Sequence, residues 1–371
     1  MSRTRALLIA TSYPRDASDW RGRFIHDQAA ALARQGIAVR LWAPPGELPA
    51  GVESALTSAD SRWLEALMAQ GGIAHLLRRK PWAGAWAGWQ LLRRLGAACR
   101  RPPGTDFYLV NWLQNALALP DDGKPAIVTV LGSDFGLLRL PGMAGTLRRQ
   151  FRLRPTLLAP NAGWMTSRLG KLFGDVAEVE ANPFGVADEW FAVECGTARE
   201  GWLVVSRITR GKLGTLLDWG EGLFSPARPL HLLGPLQEEI ALPAWAIHHG
   251  ATNPRELRER WFPQASGLLT LSLHDEGRPQ VLIEAMAAGL PVIASGIPAH
   301  ADLIRDRETG WLVSDRAALA AALAAAEEPA NAARVGAAAK EFAMRQIGTW
   351  DDCAARYAAV SRRLLEGKDA R

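Results

Sequence analysis

Two glutamates eight positions apart, Glu276 and Glu284, stand in the stretch EGRPQVLIEAMAAGLPVIAS. The first precedes, and the second lies inside, a segment of helix-favouring residues, Gln280–Ala288, that begins after Pro279 and stops at Gly289. Proline suits the first turn of a helix, where its missing N–H would have no partner anyway, and glycine suits the position just past the end. The first amides of such a helix are unbonded, and with the aligned peptide dipoles they attract phosphate oxygens. A carboxylate on either side of that anion site can accept hydrogen bonds from sugar hydroxyls. Between the two glutamates, Gly277, Arg278, Pro279, Gln280 and Val281 supply the loop and the helix start. The pattern points to a nucleotide-sugar site. Taken singly, Glu276 reads as a helix cap and Glu284 as a solvated side chain.

The same stretch resembles the E-x7-E signature of retaining glycosyltransferases of the GT-B fold, specifically family 4. The resemblance implies that Glu276 holds hydroxyls of the donor sugar, that Glu284 holds the ribose hydroxyls, and that the amides of Gly277–Val281 meet the diphosphate and sugar. Upstream, Trp202–Val205 (WLVV) reads as a strand and runs into Ser206-Arg207-Ile208-Thr209-Arg210-Gly211-Lys212. Alone, that run is a solvated basic turn. It also resembles the family's strand and loop in which an arginine and a lysine clamp the donor diphosphate, here Arg207 and Lys212. Two fixed cations with helix-start amides would stabilise charge building on a departing diphosphate. Gly250-Ala251-Thr252-Asn253, ahead of a helical Arg255–Trp261 segment, is expected near the base, with Gly250 and Thr252 as donor contacts. His248 and His249 have no third ligand at metal-binding spacing and read as strand-end residues.

Around these residues, short apolar runs alternate with helical segments, which predicts parallel sheets. Ala6–Ala10 (ALLIA) and Val39–Ala43 read as strands flanking a helix over Phe24–Gln35 that Gly36 closes. Phe107–Trp112 and Ala126–Leu131 follow in the first half; Leu230–Gly234, Ile247–Gly250, Leu268–Leu271 and Leu290–Ala294 follow in the second. The loop after a first parallel strand lies at the ligand-binding edge of such a sheet. Gly22 in that loop is either a donor-site glycine needed for close backbone approach or a plain turn residue. TSYPRDASDWRGRFIHDQAAALARQGIAVRLWAPP resembles the opening of family 4 enzymes, with one glycine where many carry two. Leu131 occupies the place, before Gly132-Ser133-Asp134, where those enzymes often have a histidine contacting the donor sugar. Leucine cannot make that hydrogen bond. Ser133 and Asp134 are candidate acceptor or sugar contacts, and an Asx-type cap is the other role open to Asp134. Asn182–Val186, with Trp190 and Phe191 after it, resembles the family's bridge into the second domain, and 349–365 resembles the helix that crosses back.

Composition sets the frame. The 371 residues are 48% apolar and 22% charged, ordinary for a globular chain of two or three domains. The odd, scattered set Cys99, Cys195 and Cys353 argues for a reducing compartment and against a structural metal. The apolar core ALLIA near the start is short for a signal peptide, and no run reaches the ~20 apolar residues of a spanning helix. Charge is uneven. Residues 1–185 hold 23 Lys and Arg against 14 Asp and Glu, a net of +9, whereas the remainder is at −4. Such a basic half points to an anionic partner. Residues 76–101 (LLRRKPWAGAWAGWQLLRRLGAACRR) carry seven basic side chains, no acidic ones, and Trp82, Trp86 and Trp89 on one helical face. With Arg93 and Arg94 this is the composition of an interfacial membrane helix; a core helix with its tryptophans turned inward is the alternative. A second acid-free basic stretch, 137–160, favours the membrane. Nucleic acid is not expected, since no RNP-like, helix-turn-helix or zinc-finger pattern accompanies the charge.

These features and the resemblance give an α/β chain of GT-B type. Two Rossmann-like domains with parallel sheets, 1–182 for the acceptor and 183–345 for the donor, are expected to face a cleft, and a C-terminal helix, 346–371, to return to the first domain. The expected reaction moves a hexose-type sugar from UDP or GDP to a hydroxyl of a lipid-linked glycan, lipopolysaccharide or other cell-surface polysaccharide precursor. By resemblance the anomeric configuration is retained, no metal or other cofactor is needed, and the departing phosphate takes the acceptor's proton. The expected place is the cytoplasm, at the inner face of the membrane. Nucleotide-sugar epimerases and hydrolases of the same fold, and a non-catalytic nucleotide-sugar-binding subunit, are the competing classes. Leu131 is the feature that favours the last.

Overall fold

Strands of Leu, Val, Ile and Ala build two sheets in which every pairing is parallel. The computed structural model describes residues 3–196, 199–274 and 276–369, so Asp275 in the loop singled out above lies outside it. The first sheet contains β1 (Arg5–Ile9), β2 (Ala38–Trp42), β3 (Val52–Ser54), β4 (Phe107–Asn111), β5 (Ala126–Val130), β6 (Thr156–Pro160) and β7 (Glu178–Val179), in the order β3-β2-β1-β4-β5-β6-β7. The second contains β8 (Trp202–Val205), β9 (Leu230–Leu233), β10 (Ala246–His248), β11 (Gly267–Thr270), β12 (Val292–Ser295) and β13 (Trp311–Val313), in the order β10-β9-β8-β11-β12-β13. Strands β4, β5, β6 and β12 are buried at every position, as expected of strands covered on both faces. Both orders reverse beside the first strand of the sheet, at β1/β4 and at β8/β11. Loops at the carboxyl ends of strands flanking such a reversal are where open α/β sheets bind ligands.

The chain divides into two units: residues through Phe184 together with those from Trp350 onward, and Gly185–Thr349. The long last helix, Trp350–Asp369, belongs to the first unit although it follows the second in sequence. Its placement has specific causes. Tyr357 is fully buried with its hydroxyl 2.9 Å from Thr129 Oγ1 on β5, and Arg34 reaches Asp351 at 2.7 Å. Arg356 donates to Asn182 Oδ1 and to the Pro183 carbonyl.

The stretch 137–160 differs from its expected role as a second basic surface. It folds into a helix, Met143–Phe151, and strand β6. Arg154 is buried and reaches Asp122 at 3.3 Å, and Arg148 pairs with Asp175, so acids distant in sequence neutralise part of the run. The Ala-rich helix Arg316–Glu327 buries Leu319, Ala322, Leu323 and Ala326 in the second core.

Candidate functional site

The switch-point loops of the second sheet lie against each other, and a glycine makes this possible. After β8, Thr209 caps a short helical turn, Arg210–Leu213, by accepting from the Lys212 amide at 3.2 Å. Gly214 ends the turn at φ +56, and a Cβ there would sit 1.8 Å from the Leu271 carbonyl oxygen. Only glycine combines that backbone with that approach. The Leu273 amide then donates to the Gly211 carbonyl at 3.0 Å, stapling the loop after β11 to the turn after β8.

This staple sets Lys212 against Glu276. Lys212 Nζ lies 2.7 Å from Glu276 Oε1, and Ser272 Oγ donates to the same oxygen at 2.9 Å. The two side chains are only 17% and 10% exposed. Burial pushes the Glu276 carboxyl upward, but the Lys212 ammonium and the Ser272 hydroxyl outweigh it, so it lies below its ordinary value. Among the described residues, no hydrogen bond reaches Glu276 Oε2. The helix that follows runs Gln280–Ala287 from an N-cap at Pro279, and Glu284 is half-buried a turn further on.

Other sequence candidates have commitments of their own. Arg207 is exposed in the loop after β8, and among the described residues no ion pair holds its guanidinium. Arg278 is mostly buried and paired with Asp302 at 2.6 Å, so its side chain braces the loop. Gln280 donates its amide to the Gly185 carbonyl at 3.0 Å, and Val281 packs on the core. Gly277 lies in the loop between Glu276 and that brace. Gly250, at φ +79, accepts from the Gly234 amide, and Thr252 donates to Glu256 at 2.8 Å beside the helix that Asn253 caps. His249 is 3.0 Å from His231. Among the described residues, no three His, Cys, Asp or Glu side chains converge as for a metal ion.

In the first domain, Gly22 precedes the helix Arg23–Arg34, and a Cβ on it would come within 2.6 Å of the Tyr13 amide. The close approach is to the chain's own loop. Ser133 is exposed. Asp134 is not placed to meet an acceptor: it is buried, and its two oxygens accept the amides of Leu113 at 2.6 Å and Leu131 at 2.7 Å. Burial still lifts its carboxyl to about 6. Its role is to tie the loop after β4 to the loop after β5.

Sequence reasoning passed over His300. It sits in the short helix Pro298–Ala301 after β12, fully buried, with Nδ1 2.9 Å from the Ser295 carbonyl. Ser295 Oγ donates to the Ser272 carbonyl at 2.6 Å, which joins His300 to the residue holding Glu276. The available signal was a histidine, two residues before Asp302, inside the otherwise apolar run IPAHADLI.

The tryptophans expected on one face of residues 76–101 are outside the core. The helix Pro81–Cys99 buries Ala87, Leu91, Leu95, Ala98 and Cys99, leaving Trp82, Trp86 and Trp89 at 91%, 58% and 48% exposure. Trp86 and Trp89 stack at 4.6 Å, and Arg93 lies over Trp89 at 5.4 Å. The segment's cations are fewer than its sequence indicates. Asp60, from the helix Ser58–Ala69, engages Arg94 at 3.3 Å and Arg101 at 2.7 Å. Among the described residues, no helix is long and apolar enough to cross a membrane.

Residues 230–328, which include both glutamates, match the family model described as "Glycosyl transferases group 1". Over 103 residues the chain is 41% identical to a D-inositol 3-phosphate glycosyltransferase of Streptomyces scabiei; this covers 27% of the chain and 22% of that relative. The alignment thus spans about a fifth of the curated relative's length. Among solved structures, sucrose-phosphate synthase from Thermosynechococcus elongatus is similar over 98% of this chain and 100% of its own, at 16% identity and a TM-score of 0.74. Anabaena HepE, in complex with UDP-glucose, is similar over 98% and 100%, at 14% identity and a TM-score of 0.64. Residues 230–328, in the second of two Rossmann-like domains, are therefore similar to glycosyltransferases of group 1, and the two domains have the fold of GT-B glycosyltransferases.

Proposed function

We propose that this chain is a retaining glycosyltransferase of family 4. It moves a hexose-type sugar from a UDP- or GDP-linked donor to a hydroxyl of a lipid-linked glycan, lipopolysaccharide or other cell-surface polysaccharide precursor. The observation that carries the proposal is the Lys212–Glu276 pair at the switch point of the second sheet, next to a helix start. An ammonium has three donors, so Lys212 can hold Glu276 Oε1 and still meet a phosphate oxygen. Arg207, exposed on the neighbouring loop, supplies the second cation, and the amides of Gly277–Val281 take further oxygens. Glu276 Oε2 accepts from the donor sugar, and Glu284 accepts from the ribose. The UDP-glucose bound by HepE and the D-inositol 3-phosphate glycosyltransferase relative support a nucleotide-sugar donor.

In the reaction, the bond between the anomeric carbon and the diphosphate oxygen breaks while the acceptor oxygen bonds to the same face. The acceptor's proton passes to the departing phosphate oxygen. Arg207 and Lys212 face the charge that grows there, in the role a divalent cation has in other transferases. No cofactor beyond the donor is required.

The acceptor side rests on the exposed tryptophans. Indoles suit the headgroup level of a bilayer, and Arg78, Arg79, Lys80 and Arg93 are exposed on the same segment. The first domain thus docks on an anionic inner leaflet, where a lipid-linked acceptor is presented.

Incubation of the chain with UDP- and GDP-sugars and lipid-extracted acceptors tests the proposal. Transfer with retained anomeric configuration, unchanged by a chelator, is expected. Epimer or free sugar as the main product would place the chain in the epimerase or hydrolase class. Donor binding without turnover would make it a binding subunit.

A further inference from the structure

His300 has one ring nitrogen explained by the fold and one left over. The Ser295 carbonyl, 2.9 Å from Nδ1, can only accept, so Nδ1 carries the proton of the neutral ring. Nε2 is then a lone-pair acceptor. It is buried, and among the described residues no hydrogen-bond partner meets it. An unpaired buried nitrogen is costly, so a histidine here is unfavourable unless another state of the site uses it. Two charged groups act on the ring: Glu276 from the loop after β11 and Lys212 from the turn after β8. Burial lowers the ring's basicity most, and Lys212 lowers it further, while the Ser295 bond and Glu276 act the other way; the net is below the ordinary value. His300 is therefore neutral here, with Lys212 neutralising Glu276 at 2.7 Å.

We propose that His300 is a proton-linked positioning residue, which takes up a proton at Nε2 when a nucleotide sugar binds and so adds a second countercharge to Glu276 while Lys212 is shared with the diphosphate. The inference rests on the donor site proposed above. A diphosphate shares the Lys212 ammonium with Glu276 and so weakens the charge that balances this carboxylate. Its side chain is only 10% exposed, and a buried carboxylate is costly to leave under-compensated. A proton from solvent on Nε2 restores the balance and adds a donor on the side of the ring away from Ser295. The proton adds one positive charge to the protein beside Glu276, against the negative charge that the diphosphate brings. Ser272 and Ser295, which link His300 to Glu276, carry no titratable charge and keep both groups in place.

Calorimetric titration with UDP-glucose and GDP-mannose, in buffers of low and high ionisation enthalpy near neutral pH, tests the inference. These diesters have no phosphate ionisation in that range, so any protons exchanged belong to the protein. Wild type should take up close to one proton per donor bound. His300→Asn, whose amide can still donate to the Ser295 carbonyl, should bind with no uptake, and its deficit relative to wild type should grow as pH falls. If wild-type heats do not depend on the buffer, or His300→Asn keeps the uptake, the inference is wrong. Should the variant fail to fold, the wild-type histidine ring shifts decide: one ring must pass from neutral to protonated on saturation, and an unchanged set overturns the inference. If neither donor binds, the donor-site reading falls, and the inference falls with it.

Discussion

Gly214 approaches Leu271 so closely that a methyl group on it would lie 1.8 Å from the Leu271 carbonyl oxygen, and this contact brings Lys212 to Glu276. The pair thus depends on a residue that touches neither side chain. Gly214→Ala should part the two loops, destabilise the second domain by more than the ~1–3 kcal/mol of backbone strain alone, and weaken donor binding. Gly211→Ala is the control, because its methyl would meet nothing nearer than 3.9 Å. Thermal melting with and without nucleotide checks both variants, and equal effects would remove Gly214 from this role.

The Lys212–Glu276 pair also predicts a charge-specific pattern of stability. Lys212→Met leaves a buried carboxylate unpaired and should cost about 3–5 kcal/mol, whereas Lys212→Met with Glu276→Gln should recover most of it. The pH dependence follows from the lowered Glu276 pKa. Its contribution is present above the ordinary value of 4.5 and is lost as pH falls through the lower folded value. Urea unfolding of the three proteins at neutral and acid pH reads both effects. A double variant no more stable than the single one would contradict the account.

Glu284, a turn inside the helix whose start faces the diphosphate in the proposed donor site, is assigned the ribose. Glu284→Gln should weaken ribonucleotides by roughly tenfold while affecting 2′-deoxy analogues much less. Equal losses would make Glu284 a structural residue of the helix.

The architecture was largely legible because it is written in local pattern. Buried strands such as β4 and β12 read as apolar runs, and Gly36 and Gly289 end the helices they were expected to end. Glu276 and Glu284 were visible from spacing, and Lys212 from its place after β8. What escaped depends on tertiary neighbours. The reason Gly214 must be glycine lies on a loop distant in sequence, and so do Lys212 and Glu276, the charged groups that act on His300. The cationic surface was overstated for the same cause: Asp60, Asp122 and Asp175, which engage Arg94, Arg101, Arg154 and Arg148, all lie outside the stretches they neutralise. Asp134 was legible only as a cap or an acceptor contact, because the amides of Leu113 and Leu131 that it accepts leave no mark in a sequence.

Exposure of the three tryptophans makes the membrane proposal testable without harm to the fold. A combined Trp82→Ala, Trp86→Ala and Trp89→Ala variant should melt within a few degrees of wild type, since surface substitutions cost about 0.5 kcal/mol or less each. In vesicle co-sedimentation, wild type should bind anionic lipid and be released by salt, and the variant should bind weakly. Tight binding by the folded variant would rule this face out as the anchor.

The central claim, that the second domain clamps a nucleoside diphosphate between Arg207, Lys212 and the helix start, is tested most directly by comparing diphosphate with nucleoside affinity. Arg207 is exposed, so its removal leaves the fold intact; Lys212→Ala is measured beside it after a melting check. Calorimetry with UDP, GDP, uridine and guanosine should show each variant binding its preferred diphosphate roughly ten- to a hundredfold more weakly, with nucleoside affinity unchanged. Unaltered diphosphate affinity in both variants, or equal losses for diphosphate and nucleoside, would contradict the account.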